Sequence, residues 1–173
     1  MITRINTYRE AAIATFKSAM PELLECAPQF GRFNIEDLET SSVRAPGLRV
    51  GILSAKMKPA PAGNSEALLN CAAFAITEGK SRDEQAWALA ESIAVLLHPA
   101  QLFAMTHLSG PSEVAILPAI TGKLKSKNVS IIAIEWKQTL RQLGLNLFDD
   151  TGEMYRDLYI NGELAQGNGN GDV

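Results

Sequence analysis

The sequence predicts an α+β protein, a two-layer sandwich in which two helices pack on one face of a mostly antiparallel four-stranded sheet. Three observations lead to this prediction: two segments with helical apolar spacing, four segments with strand patterning, and a breaker-rich connection typical of a long hairpin. The predicted order of elements is α-β-β-α-β-β. At 173 residues the chain is long enough for one domain with a substantial core.

Apolar residues at intervals of three and four predict the two helices. The first spans about residues 3–20, with Thr3 or Asn6 as its N-cap and Pro21 just past its end. The second begins after Ser81, which forms a capping-box pattern with Glu84. Its predicted core stripe contains Trp87, Ala90, Ala94 and Leu97.

Three predicted strands precede the most informative segment of the chain. Residues 48–57 and 67–77 are the arms of the predicted hairpin, and residues 113–121 form a third strand in which Pro118 favours an edge position or a bulge. Residues 28–47 contain two prolines, two glycines and an acidic cluster, and they are predicted to form a long loop.

The fourth strand, at residues 129–144, is the most informative segment of the chain. It begins as a continuous apolar run and changes at Glu135 to alternating polar and apolar residues. This pattern predicts a strand that is covered on both faces at its start and on one face towards its end. The polar end of a central strand suits contact with a partner, so the predicted subunit-interface residues are Trp136, Lys137, Gln138 and Arg141. Trp87 and Trp136 are also predicted to anchor the core.

Charge divides the chain into two regions. The predicted domain spans residues 1–148, and residues 149–173 form an acidic, glycine-rich tail that is predicted to be partly disordered, with a small hairpin at 159–164. The tail carries six acidic residues and one arginine, a charge of −5, so the domain carries +2 of the total of −3. A nearly neutral body makes direct nucleic-acid binding unexpected, and the sequence contains no apolar run long enough to span a membrane. The predicted location is the cytoplasm.

Candidate chemical groups are few. Neither His98 nor His107 lies in a group with metal-ligand spacing, and Cys26 and Cys71 are interpreted as small buried hydrophobic residues in a reduced compartment. The tripeptide at 150–152 matches that of aspartic proteases, but flanking acids favour a solvated turn. The sequence therefore predicts no catalytic residue, cofactor or metal site, and a protein that is not an enzyme.

Lysines cluster at two predicted strand ends. They are interpreted either as solvated, edge-protecting side chains or as a basic rim that meets an acidic partner surface. The members of this group are Lys56, Lys58, Lys123, Lys125 and Lys127.

Three segments resemble the tail terminator (tail-completion) family of long-tailed bacteriophages, in particular its Mu-type phage and prophage members. They are the apolar strand at 47–53, the helix at 85–97, and the Trp-Lys-Gln strand at 128–138 with Leu143-Gly144 at its end. The similarity covers roughly residues 45–144. The acidic tail and the Pro118 interruption depart from the family pattern.

The resemblance implies a non-enzymatic virion protein that assembles in the host cytoplasm. Such a protein forms a hexameric ring that binds the tail tube protein, stops tube polymerisation, and presents a surface to head-completion or connector proteins at the head–tail junction. The five lysines are then expected to face the tube. Three alternatives stay open: another head–tail connector or stopper protein, a small cytoplasmic α+β enzyme, and an oligomeric module unrelated to phage.

Overall fold

The computed structural model describes residues 3–33, 44–60, 64–118, 128–144, 158–160 and 163–165, the last two ranges by their backbone alone. The chain divides into two compact units, Met1–Leu143 and Gly144–Val173. In the first unit the described residues form an α+β fold, as predicted, with two helices and five strands. These are α1 (Arg4–Ala19), β1 (Glu25–Phe30), β2 (Gly47–Pro59), β3 (Ser65–Glu78), α2 (Arg82–Leu96), β4 (Ser112–Pro118) and β5 (Val129–Leu143).

The second unit contains a short antiparallel hairpin of β6 (Leu158–Ile160) and β7 (Glu163–Ala165). Its position agrees with the hairpin predicted at 159–164. The glycine-rich segment predicted to be disordered lies outside the described residues.

The sheet has five strands in the order β1-β2-β3-β5-β4, so the prediction of four strands was wrong. The missed strand is β1, whose residues 28–30 fall in the predicted loop at 28–47. It pairs in parallel with β2, and all other strand pairs described in this sheet are antiparallel. β1 is short and contains Pro28, which hides its strand character in the sequence but is tolerated at a sheet edge. Gly51 allows its close approach, because a Cβ there would lie 2.8 Å from the carbonyl oxygen of Gln29.

The predicted hairpin of β2 and β3 is confirmed, and it is longer than predicted. Pairing continues from Gly47↔Ile76 as far as Pro59↔Ser65, with one bulge between Ile52 and Ser54. β4 lies at the opposite edge of the sheet, where Pro118 at its end is tolerated, as the sequence predicted.

Strand β5 is central, between β3 and β4, and its two halves have the predicted environments. From Ile131 to Ile134 every side chain is buried, and after Glu135 buried and less buried residues alternate. From Ile132 to Leu140 the even-numbered residues face the helices, and the apolar ones among them join the main core. Ile131 and Ala133 belong to a smaller cluster on the other face of the sheet with Phe33.

Both helices pack on the same face of the sheet. The side chains of α1 that reach the core are Tyr8, Ala12, Ile13 and Phe16, and those of α2 are Ala86, Leu89, Ala90 and Ile93. Of the two predicted N-cap candidates, Thr3 caps α1, and its hydroxyl accepts a hydrogen bond from the Asn6 backbone N–H at 3.4 Å. Ser81 is the N-cap residue of α2, but its side chain makes no capping hydrogen bond, so the capping box is not formed.

Trp87 is the largest departure from the predicted core. The buried stripe of α2 is rotated relative to the predicted one and is centred on small and aliphatic side chains. Trp87 therefore lies on the outer side of the helix with 48% of its surface exposed, whereas Trp136 is buried at 1% as predicted. Among the described residues, no helix is long and apolar enough to cross a membrane.

We expect Phe16→Ala to lower the free energy of unfolding by about 4 kcal/mol, because it empties a fully buried site. The Phe16 ring makes edge contacts with Phe103 and Trp136 at centroid distances of 5.7 and 6.1 Å. Urea denaturation measures the loss. Phe30→Ala removes the same side chain at a position 77% exposed, and it should cost less than a quarter as much. Equal losses for the two variants would contradict the packing described here.

Candidate functional site

The distal halves of the long strands leave one face of the sheet uncovered by the helices. We call this surface the open sheet face. It consists of side chains that alternate with core residues on β2, β3 and β5, together with two residues of the edge strand β4 and Arg32. Its members are Arg32, Ser54, Lys56, Lys58, Glu66, Leu68, Asn70, Glu113, Ala115, Glu135, Lys137, Thr139 and Arg141.

Three ion pairs cross the open sheet face. Arg32 contacts Glu135 at 2.7 Å, and Arg141 contacts Glu66 at 3.7 Å. The third pair joins Lys137 and Glu113 between β5 and β4. All three are partly exposed, so each contributes little to stability in water. Their main effect is to hold charged groups in fixed positions on the surface.

A groove crosses the open sheet face near the middle of β3 and β5, beside Asn70, Glu135 and Lys137. Its volume is about 490 Å³, and its floor includes Asn70, which donates a hydrogen bond to the Ser54 hydroxyl at 2.6 Å. Leu53 and Ala115 supply its apolar surface, and the first and third ion pairs form its rim. The lining residues are Arg32, Leu53, Ser54, Asn70, Cys71, Glu113, Ala115, Glu135, Trp136 and Lys137.

Lys56 and Lys58 both lie in strand β2, which continues to Pro59. The strand predicted at 48–57 included Lys56 but placed Lys58 in the connection that follows, so the prediction was wrong for Lys58. The strand is longer than the sequence indicated because Pro59 still pairs with Ser65. Both side chains are exposed, and neither forms an ion pair with any residue in the described part of the chain. Lys123, Lys125 and Lys127 lie outside the described residues.

The four predicted interface residues divide between two environments. Lys137 and Arg141 lie on the open sheet face and reach solvent. Trp136 and Gln138 point to the opposite side and are each only 1% exposed. Their side chains are occupied inside the subunit, because these two positions of β5 face the helices. Lys137 and Arg141 are the members of the predicted interface set that reach solvent.

A buried polar cluster surrounds Gln138. Its side-chain oxygen accepts hydrogen bonds from the Tyr8 hydroxyl at 2.5 Å and the Trp136 indole N–H at 3.0 Å. Its amide nitrogen donates to the backbone carbonyls of Gln101 at 3.1 Å and Ser109 at 2.9 Å. All hydrogen-bonding positions of this amide are therefore used, which favours a structural role.

The two cysteines are poor nucleophiles. Burial raises the pKa of the Cys71 thiol to about 12, although its hydrogen bond to the Tyr8 hydroxyl partly opposes this rise. Burial likewise raises the pKa of Cys26 to about 11. Since the thiolate is the reactive form, both groups remain protonated and unreactive near neutral pH.

The two histidines lie in the connector between α2 and β4. The His98 ring accepts a hydrogen bond from the Ala100 backbone N–H at 3.2 Å, and the carbonyl of His107 accepts one from the Arg141 backbone N–H at 2.8 Å. Across the described ranges, no three His, Cys, Asp or Glu side chains are grouped in a way that could hold a metal ion. The sequence is not matched by any known protein-family model or by any curated protein.

We expect Gln138→Leu to lower the free energy of unfolding by about 3 kcal/mol, because the buried Tyr8 hydroxyl and two partly buried carbonyls lose their partner. Gln85→Leu makes the same chemical change at an exposed position on α2 and serves as the control. Urea denaturation of both proteins measures the difference. A Gln138→Leu protein as stable as the control would show that the cluster does not hold the connector in place.

We expect both thiols of the native protein to react with a disulfide reagent far more slowly than in the unfolded chain. Cys71 should be the slower of the two, because it is buried and Cys26 is half-buried. Reagent absorbance followed in buffer and in urea measures both phases, and Cys26→Ala assigns them. Immediate labelling of Cys71 in buffer would contradict the buried cluster.

Proposed function

We propose that this protein is a non-enzymatic virion assembly protein that caps the tail tube, ends its polymerisation and forms part of the head–tail junction. The open sheet face is the observation that supports this proposal. A broad strand surface with fixed charges suits recognition of a protein surface, since electrostatic complementarity sets partner choice and orientation. The strand at 128–138, which carries the resemblance to tail terminators, supplies Glu135 and Lys137 to this face.

Lys56 and Lys58 are the strongest candidates for contact with the tube protein. They are exposed, and they point out from the distal part of β2 on the same face as Lys137 and Arg141. Because they have no internal partner in the described part of the chain, their charge is available to acidic groups on a tube. Lys123, Lys125 and Lys127 are left out of this contact, because the connection that contains them enters β5 at Val129, which pairs with Glu78, whereas Lys58 pairs with Glu66 at the other end of β3. In a hexameric ring each weak contact would be repeated by symmetry, which raises the avidity without any additional type of contact.

The groove favours a second candidate function, binding or conversion of a small molecule. Polar side chains converge there, as they do in ligand sites. However, the charged groups of the rim are already paired with one another, and a ligand would have to compete with those pairs. Neither cysteine is an activated nucleophile, since burial raises the pKa of both thiols. A docking surface accounts for the ion pairs more simply.

The test is electron microscopy of tail tubes assembled with and without the protein. We expect rings at one tube end, and uniform tube length only when the protein is present. Binding to filled heads instead of tubes would move the assignment to a head–tail connector or stopper. If neither target is bound and tube lengths do not change, the assembly proposal fails.

We expect Lys56→Glu/Lys58→Glu to weaken tube capping on the order of tenfold while leaving the fold unchanged, because exposed lysines contribute to recognition and little to stability. The matched control is Lys17→Glu/Lys80→Glu, which reverses two exposed lysines outside the open sheet face. Pelleting of protein with tubes gives the affinity, and thermal unfolding checks the fold. Equal capping by both double variants would remove these lysines from the tube contact.

A further inference from the structure

An exposed tryptophan lies on the side of the molecule opposite the open sheet face. Trp87 is 48% exposed on α2, and the exposed residues Ala88 and Ser92 of the same helix are small. Tryptophan at a protein surface is enriched among the residues that dominate binding energy. Its position is not needed by the core, which is filled by the other stripe of the same helix.

Three carboxylates surround this indole. Asp83, Glu84 and Glu91 are four residues before, three before and four after Trp87, so all three lie on its side of the helix. Each is exposed, and none forms an ion pair with a residue that the structure describes. Asp83 and Glu84 also suit the positive N-terminal end of the helix, but Glu91 lies too far along α2 for that effect. We call these four residues the α2 outer face.

The open sheet face has the complementary properties. It carries five cations and three carboxylates, and the ion pairs leave Lys56 and Lys58 as the excess positive charge. Its groove has room for an indole ring against Leu53 and Ala115. Arg32 on the rim is paired with Glu135 but has 70% of its side chain exposed, so the flat face of its guanidinium is accessible for stacking on an aromatic ring while the ion pair is kept.

We propose that the α2 outer face of one copy of this chain docks on the open sheet face of a second copy, with Trp87 in the groove. The occupant is a second copy because this chain itself presents both surfaces, with opposite unpaired charges. The two surfaces differ and lie on opposite layers of the fold, so the contact is head-to-tail and repeats from copy to copy. Such contacts close into a ring or extend as a chain.

This inference deepens the proposed function, because it names the contact between neighbouring subunits. Only the closure of these contacts into a ring rests on the proposed function. Self-association is measurable without any tail tube. A protein that self-associates through Trp87 but caps no tube keeps the inference and loses the proposed function. A protein that caps tubes but does not self-associate through Trp87 keeps the proposed function and loses the inference.

The experiment is sedimentation velocity over a concentration series of the full chain. We expect the wild type to self-associate, and Trp87→Ala to weaken that association by about 30-fold or more, because a central tryptophan anchor is lost. Lys137→Glu should weaken the self-association through the open sheet face, because it places a third carboxylate beside Glu113 and Glu135. The controls are Val95→Ala, which truncates a residue 71% exposed on the same helix, and Lys17→Glu, which makes the same charge change elsewhere.

Mixing the two defective variants tests the pairing of the surfaces. Trp87→Ala retains an intact open sheet face and Lys137→Glu retains an intact α2 outer face, so an equimolar mixture should form a heterodimer but no larger species. In the wild type, acrylamide quenching of Trp87 should fall as the concentration rises, while Trp136 stays shielded at every concentration. Both variants should keep the wild-type circular dichroism spectrum.

Three results would each overturn the proposal. The first is a wild type that stays monomeric over the whole concentration series, which excludes a second copy as the occupant. The second is self-association of Trp87→Ala equal to that of Val95→Ala. The third is a mixture of the two variants that remains monomeric, because the two surfaces then do not meet.

Discussion

The register of β5 is the constraint on which the rest of the structure depends, and the Gln138 amide fixes it. This side chain joins α1 through Tyr8, the indole of Trp136, and the connector through two backbone carbonyls. A slip of one residue would place the charged Lys137 in the core and leave these partners unsatisfied. The polar cluster therefore selects one register among the alternatives that hydrophobic burial alone would allow.

That register also determines what the protein presents to solvent. With Trp136, Gln138 and Leu140 facing the helices, the intervening Lys137, Thr139 and Arg141 must face the other way. The connector strengthens this arrangement because its residue Leu108 bridges to Leu140 and continues the edge of the sheet beyond β4. The same hydrogen bonds that stabilise the core thus hold the charges of the open sheet face at fixed spacing.

The sequence predicted those elements whose pattern is local. The change of period at Glu135 identified both environments of β5, and the breakers around Pro59 identified the hairpin. It failed where partners distant in sequence decide the outcome. β1 becomes a strand only because Gly51 admits it beside β2, and Trp87 is exposed because smaller α2 residues fill the space above the sheet. The open sheet face is likewise a product of pairing, since its charges come from four strands.

The ion pairs on the open sheet face affect which partners can bind there. A surface with three internal pairs gains little from long-range attraction, because most of its charge is already balanced. Selectivity must then come from position: a partner has to bring its carboxylates within reach of the unpaired lysines while filling the groove with an apolar group. Loose electrostatic association satisfies the first condition only. A rigid, repeated contact satisfies both, which is why such a face suits ordered assembly better than transient binding.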